Sequence, residues 1–161
     1  MSQPGVIDGL QFARDGGELR GTLGLERLTR LAQTPCQSSG IEYCLRGGLN
    51  RAGKPGLGLK ASGRLELVCQ RCLGPLLFAI DVDVDLELCS DPGVIAQAED
   101  EVDRVLAERE MNVAQLVEDE VILALPQVPR HEKCNIDGLI AQPQKESPFS
   151  VLATLKKRGD R

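Results

Sequence analysis

Two segments in the middle of the chain alternate between apolar and polar residues. From Leu57 to Leu67 the apolar or small residues take the odd positions, and from Ile80 to Leu88 they take the even ones. A period of two is typical of a strand that buries one face. The pattern therefore predicts strands at 57–67 and 80–88.

These strands are joined across a Cys-x-x-Cys motif, Cys69 to Cys72. In an antiparallel hairpin the two apolar faces coincide only if odd positions of one strand oppose even positions of the other. A turn centred midway between the cysteines satisfies this condition and places Leu59 opposite Val82. It also places Lys60 opposite Asp81, a favourable cross-strand pair.

Weaker patterns predict the elements on either side of the hairpin. Residues 17–25 and 41–46 alternate as strands, and Leu28 to Leu31 resembles a short helical turn. Residues 90–111 begin with Ser-Asp-Pro-Gly and are rich in acids, which predicts an exposed, mobile excursion. One short strand is expected within it, at 104–107.

The best helix pattern starts after Asn112, a good N-cap, and has Gln115 at the capping-box position. Pro126 ends it. The helix is expected to pack on the sheet through Leu116, Val117, Val121 and Ala124.

A polar linker and tail follow at 135–161. Ser147-Pro148-Phe149 indicates the start of a short last helix. Strands first and a helix later favour an α+β fold, an antiparallel sheet or meander with a Cys-x-x-Cys hairpin corner, in a single domain over 1–161.

Charge is divided unevenly along the chain. The net charge is −5. Residues 46–71 hold six basic residues and one acid, a local charge of +5, whereas 81–120 hold fourteen acids and two arginines, a local charge of −12. This division allows one basic and one acidic face, although two solvated faces explain it as well.

No secretory signal or membrane span is recognisable, so we expect a cytoplasmic protein. In a reducing compartment the six cysteines are thiols or metal ligands rather than disulfides. Cys36, Cys44 and Cys89 are expected to be core thiols or chance surface residues.

Two pairs share a two-residue gap: Cys69 with Cys72, and His131 with Cys134. Together they would form a tetrahedral zinc site of three thiolates and one imidazole. The alternative is two independent structural pairs, with His131 facing solvent. A catalytic interpretation makes Cys72 or Cys134 a nucleophile, His131 its base and an acid of 118–120 the orienting group. No phosphate loop, dinucleotide motif or oxyanion loop accompanies it, so we expect no enzyme.

Three blocks of sequence carry a resemblance. Residues 67–75 (LVCQRCLGP), 116–131 (LVEDEVILALPQVPRH) and 147–157 (SPFSVLATLKK) closely resemble the bacterial YceD family, the large ribosomal RNA subunit accumulation proteins. The resemblance implies a non-enzymatic factor for synthesis, processing or stability of 23S ribosomal RNA. The resemblance also implies that many relatives carry a second cysteine pair after the Pro-x-x-Pro step, and His131 and Cys134 of this chain stand nearest that place.

Two modes of action are open. In the first, the protein binds an assembly intermediate with acids toward a basic ribosomal protein and cations toward RNA. The acidic set is Glu118, Asp119 and Glu120, and the cationic set is Arg46, Arg51 and Lys54 with Lys156, Lys157 and Arg158. In the second, it is a small adaptor, with or without zinc to stabilise it, that docks a basic ribosomal protein without contacting RNA.

Overall fold

The computed structural model describes residues 5–33 and 37–134. The described residues up to His131 belong to one compact unit, and the single domain over 1–161 stays a prediction. The strands and helices, in chain order, are β1 (Val6–Ile7), α1 (Gly9–Arg14), β2 (Glu18–Leu23), β3 (Gln37–Leu49), β4 (Pro55–Val68), β5 (Pro75–Cys89), α2 (Pro92–Ala96), β6 (Arg104–Leu106), β7 (Met111–Asn112) and α3 (Val113–Ala124).

The main sheet has the order β2-β3-β4-β5-β6. The first four strands form an antiparallel meander, and the short β6 pairs parallel with the end of β5. Strands β1 and β7 form a separate antiparallel pair. The α+β fold, with its meander and its helix in the C-terminal half, is therefore confirmed.

The β4–β5 hairpin confirms the predicted matching of faces but corrects the register. Lys60 lies opposite Asp83, not Asp81, and Leu59 lies opposite Val84, not Val82. The shift is two residues, so the apolar faces still coincide. It arises because the turn extends to Gly74, whose carbonyl accepts from the Cys69 N–H at 2.9 Å, which moves the centre of the turn one residue along.

Strand β5 also starts earlier than the alternating pattern indicated. Its first residues, Pro75 to Ala79, are all apolar and therefore carry no period of two, although they pair with β4. Helix α1 was not predicted at all. It is short, and its N-terminus is fixed by the Asp8 carboxylate, which accepts from the Gln11 N–H at 2.9 Å.

Helix α3 follows its prediction closely. Asn112 is the N-cap, and its side chain accepts from the Gln115 N–H at 3.2 Å. Leu116, Val117 and Val121 are buried in the core. Ala124 is exposed, contrary to prediction, because the last turn of the helix borders a groove beside β5 instead of covering the sheet.

The other predicted elements have mixed outcomes. The strands at 17–25 and 41–46 correspond to β2 and to part of β3, and 3₁₀ turns at Leu25–Arg27 and Leu31–Gln33 flank the predicted helical turn. The acidic excursion contains α2, β6 and β7, with β6 where a short strand was expected. The last helix, from Ser147, lies outside the described residues. Within the described ranges, no helix is both long and apolar enough to cross a membrane.

Candidate functional site

The turn between β4 and β5 forms a knuckle around the two cysteines. The Leu73 N–H donates to the Cys69 carbonyl at 2.9 Å, and Leu73 adopts a left-handed conformation with φ 58°. The Cys69 side chain is fully buried, and that of Cys72 is half-buried. This local geometry turns both sulfur atoms toward one side of the hairpin tip.

The segment that follows α3 runs back to this knuckle. The Gln70 N–H donates to the Pro129 carbonyl at 2.8 Å, and the His131 N–H donates to Cys69 Sγ at 3.5 Å. Residues separated by about sixty positions in sequence are thus held together by backbone groups. The hydrogen bond to sulfur favours the thiolate form that metals bind.

The His131 ring is oriented by two contacts. Its Nε2 lies 3.0 Å from the Pro75 carbonyl oxygen, which only accepts, so Nε2 carries the proton. Its Nδ1 then presents a lone pair toward Cys72 Sγ, 3.4 Å away. A backbone carbonyl that fixes the tautomer from behind is typical of histidines that bind metal.

The four predicted ligands lie together. The ligand atoms of Cys69, Cys72, His131 and Cys134 all lie within 4.8 Å of one another. Zinc with bonds of about 2.3 Å to sulfur holds tetrahedral sulfur atoms about 3.8 Å apart, so a small inward movement would complete the shell. The group could hold a metal ion, and His131 does not merely face solvent.

The catalytic alternative lacks its orienting acid. In that interpretation an acid of 118–120 orients the second nitrogen of His131, but this nitrogen, Nε2, faces the Pro75 carbonyl. Glu118, the first of the candidate acids, binds the Arg30 segment instead. The absence of enzymatic activity stays a prediction.

The predicted acidic partner surface needs a correction at Glu118. Its side chain is only 3% exposed, and one of its oxygens accepts the backbone N–H groups of Arg30 at 2.7 Å and Leu31 at 3.0 Å. Glu118 therefore anchors the 3₁₀ segment to α3 and is not available to a partner. Consecutive helix positions point about 100° apart, which is why the run of three acids does not share one face.

Asp119 and Glu120 have different surroundings. Asp119 is partly exposed and forms a salt bridge with Arg30 at 2.5 Å. Partial burial raises the pKa of Glu120, and the nearby charges of Asp103 and Asp119 raise it further. Among the described residues Glu120 has no cationic partner, so it is the one member of the acidic set left to meet one.

The predicted RNA-binding cations are largely engaged within the protein. Arg46 Nε lies 3.0 Å from a carboxylate oxygen of Glu18, and Lys54 Nζ lies 2.8 Å from one of Glu87. Arg51 is exposed in the β3–β4 turn. Lys156, Lys157 and Arg158 lie outside the described residues, as does Cys36. Cys44 is half-buried on β3, and Cys89 is buried at the end of β5.

The sequence analysis did not predict the network around Glu87. The alternation in β5 places Glu87 on the polar face, where an exposed side chain is expected. It is only 4% exposed, and it accepts hydrogen bonds from Lys54 at 2.8 Å, Arg104 at 3.1 Å and Asn50 at 3.0 Å. Those bonds, that of Lys54 above all, lower the pKa of Glu87. The burial comes from β6 and the β3–β4 turn, whose positions the alternation within β5 does not reveal.

The arrangement defines a class of protein: a small α+β protein with a Cys/His group, able to hold a metal ion, at the corner of a long hairpin. The family model described as "Large ribosomal RNA subunit accumulation protein YceD" matches residues 57–156. This is more than half of the 161 residues, and the chain belongs to that family. The family's name supports a role in ribosome biogenesis. No solved structure matches the chain.

Proposed function

We propose that this protein is a non-enzymatic, cytoplasmic factor that supports the accumulation of 23S ribosomal RNA during ribosome biogenesis. The observation that carries the proposal is the family match, which spans the hairpin, the knuckle and α3. The metal in this proposal is zinc. Three thiolates and one imidazole would fill all four tetrahedral positions around the ion, and a filled shell is typical of a structural site rather than a catalytic one.

A protein partner is better supported than direct contact with RNA. Binding to phosphates requires cations that are available, and two of the three described candidates are held by Glu18 and Glu87. In contrast, Asp81 and Asp85 on the outer face of β5 are exposed and Glu120 in the second half of α3 is partly exposed. None of these three acids has a salt-bridge partner among the described residues. An adaptor that docks a basic ribosomal protein agrees with these charges.

The role is tested by deleting the gene and measuring the ratio of large-subunit to small-subunit ribosomal RNA. We expect the ratio to fall and the wild-type gene to restore it. A Cys69→Ser, Cys72→Ser double variant should restore it poorly if the metal centre maintains the fold, whereas Cys44→Ser should restore it fully. A normal ratio in the deletion strain would contradict the proposed role.

The mode of binding is tested separately, by purifying the tagged protein with and without nuclease treatment. An adaptor should retain a basic protein after RNA is removed. An RNA binder should lose its partners and show association that weakens steeply with salt and depends on Arg51.

A further inference from the structure

Strand β5 is hydrogen-bonded along only part of one edge. Strand β4 covers one edge from Pro75 to Glu87, but β6 covers the other edge only from Glu87 to Cys89. At that end the Glu87 N–H donates to the Asp103 carbonyl and the Cys89 carbonyl accepts from Ala107. Odd-numbered residues of β5 therefore direct their backbone groups away from β4.

This parity continues down the strand because the β4–β5 register has no bulge. The outward N–H and C=O groups belong to Leu77, Ala79, Asp81, Asp83 and Asp85. No hydrogen bond from any described residue reaches them. The unpaired edge is about 27 Å long, at about 3.4 Å per residue.

A groove of about 520 Å³ lies along this edge, between β5 and the C-terminal turn of α3. Val84 and Val105 form part of its lining, and Leu123 stands at its border with 76% of its surface exposed. Space beside an unpaired strand, with an exposed apolar side chain next to it, is what an additional strand requires.

The groove is acidic. Its lining includes Asp81, Asp83, Asp103 and Glu120, and the single cation, Arg104, is already bound by Glu87 and Asp100. Asp83 is paired with Lys60 across the exposed face. Among the described residues the other three acids have no salt-bridge partner. Such a surface repels phosphate and attracts lysine and arginine.

We infer that the open edge of β5 binds an extended, lysine- and arginine-rich protein segment as an additional β-strand. Backbone hydrogen bonds to the odd-numbered residues would hold the segment. On the outer face of the sheet its cationic side chains would meet Asp81. On the α3 face, an apolar side chain would meet Leu123 and a cationic one would meet Glu120 and Asp103. The inference deepens the proposed function by naming the class of partner, and it rests on that function only for the partner's place in ribosome biogenesis.

Neither protection against aggregation nor self-pairing accounts for the whole edge. Charged residues on an edge strand protect it against aggregation, which explains Asp81, Asp83 and Asp85. It does not explain the partly buried Glu120, whose raised pKa shows that its charge is disfavoured there. Pairing with a second copy of β5 would bring aspartates close to aspartates, which is destabilising.

The test uses the full chain and a synthetic peptide with lysine at every other position and, at the positions between, valine and lysine in turn. Hydrogen exchange followed by NMR should show new protection at the amides of the five odd-numbered residues, because those of even-numbered residues already bond to β4. A peptide N-methylated at alternate positions on the edge that faces β5 should bind at least tenfold more weakly. A tenfold loss of affinity is roughly the net contribution of one or two hydrogen bonds. Methylation on the opposite edge should leave binding unchanged.

Variants add a second readout. Asp81→Pro removes an outward N–H from an edge strand, where proline is tolerated, and should weaken binding at least about tenfold. Its matched control, Asp81→Asn, keeps the N–H and should weaken binding about twofold. Glu120→Gln should weaken binding while raising the melting temperature, because it removes a disfavoured charge.

Three results would overturn the inference: equal losses for Asp81→Pro and Asp81→Asn, protection without the odd-numbered pattern, or single-stranded RNA competing for the same groove. None of these measurements depends on ribosomal RNA levels. A normal RNA ratio in the deletion strain would therefore refute the proposed role, while peptide binding would still be decided by exchange and by the variants.

Discussion

The two ends of the β4–β5 hairpin fasten a neighbouring segment to the sheet by different chemistry. At the tip, Cys69 and Cys72 meet His131 and hold the segment that follows α3. At the base, the buried Glu87 holds Lys54 of the β3–β4 turn and Arg104 of β6. The tip offers soft ligands to a metal, whereas the base is completed by the protein's own charges.

The two ends should therefore be destabilised by different treatments. A thiolate and imidazole site depends on a metal and fails under chelation or oxidation. A buried carboxylate between two cations depends instead on its ionisation and on both partners being present. The ends lie roughly 40 Å apart along the strands, at about 3.4 Å per residue, so changes at one end should add to changes at the other.

The largest expected effect is at the tip, where the proposed zinc ion would bind. Cys72→Ser, or a strong chelator with the wild-type protein, should lower the free energy of unfolding by several kcal/mol, because metal binding energy is folding energy in such sites. Zinc analysis should give one ion per chain for wild type and for Cys44→Ser, which changes a thiol outside the group. Full zinc content in Cys72→Ser would contradict the assigned ligands.

The next effect is at the base. Glu87→Gln keeps the shape of the side chain but leaves Lys54 and Arg104 without their shared buried carboxylate. We expect the melting temperature to fall by about 5 °C or more, since removing one partner of a buried ion pair is among the strongly destabilising changes. The fall should be the same with and without chelator. Asp85→Asn is the control, because Asp85 is the preceding acid on the same face of β5 and is exposed. It should change the melting temperature little.

Low pH should destabilise the Glu87 end of the hairpin. The hydrogen bond with Arg104 lowers the pKa of Asp100 to about 2, and that with Lys54 lowers the pKa of Glu87. Carboxyl groups with lowered pKa stabilise the fold above their unfolded values near 4, and this contribution is lost as pH falls toward about 2. Exchange protection of the Glu87 amide should therefore decline between about pH 4 and 2. Glu87→Gln should lose less of this protection over the same range. An equal decline in wild type and variant would show that groups other than Glu87 cause it.

The tip was more predictable than the base because the tip is marked by rare residues. One cysteine pair and one histidine–cysteine pair with matching gaps were enough to predict, from the chain alone, the four residues that could hold a metal ion. Glu87 and Glu118 are common acids in ordinary positions, and each is buried by a segment distant in sequence: Glu87 by residues near 54 and 104, Glu118 by residues near 30. Period and spacing within one element do not contain that information.

The same limit applies to the register and to the open edge. The alternation of apolar and polar residues predicts which faces of β4 and β5 meet, but the length of the turn decides the register. That length depends on the left-handed conformation of Leu73, which no sequence pattern predicts. The open edge of β5 depends on how few residues of β6 pair with it. Such pairing is a property of the assembled sheet.

The smallest expected effect concerns the backbone of the tip. Leu73 has φ 58° and is 70% exposed, so it bears a backbone conformation that costs an L-residue roughly 1–2 kcal/mol and gains little packing in return. Leu73→Gly removes that cost, and the greater freedom of glycine in the unfolded chain takes back about 0.5–1 kcal/mol. We expect a net stabilisation of up to about 1.5 kcal/mol, which corresponds to a rise in melting temperature of at most roughly 3–6 °C. Leu49→Gly is the matched control, because Leu49 is 69% exposed and lacks a positive φ. It should not stabilise the protein, and equal shifts in the two variants would show that the backbone of the knuckle is not strained.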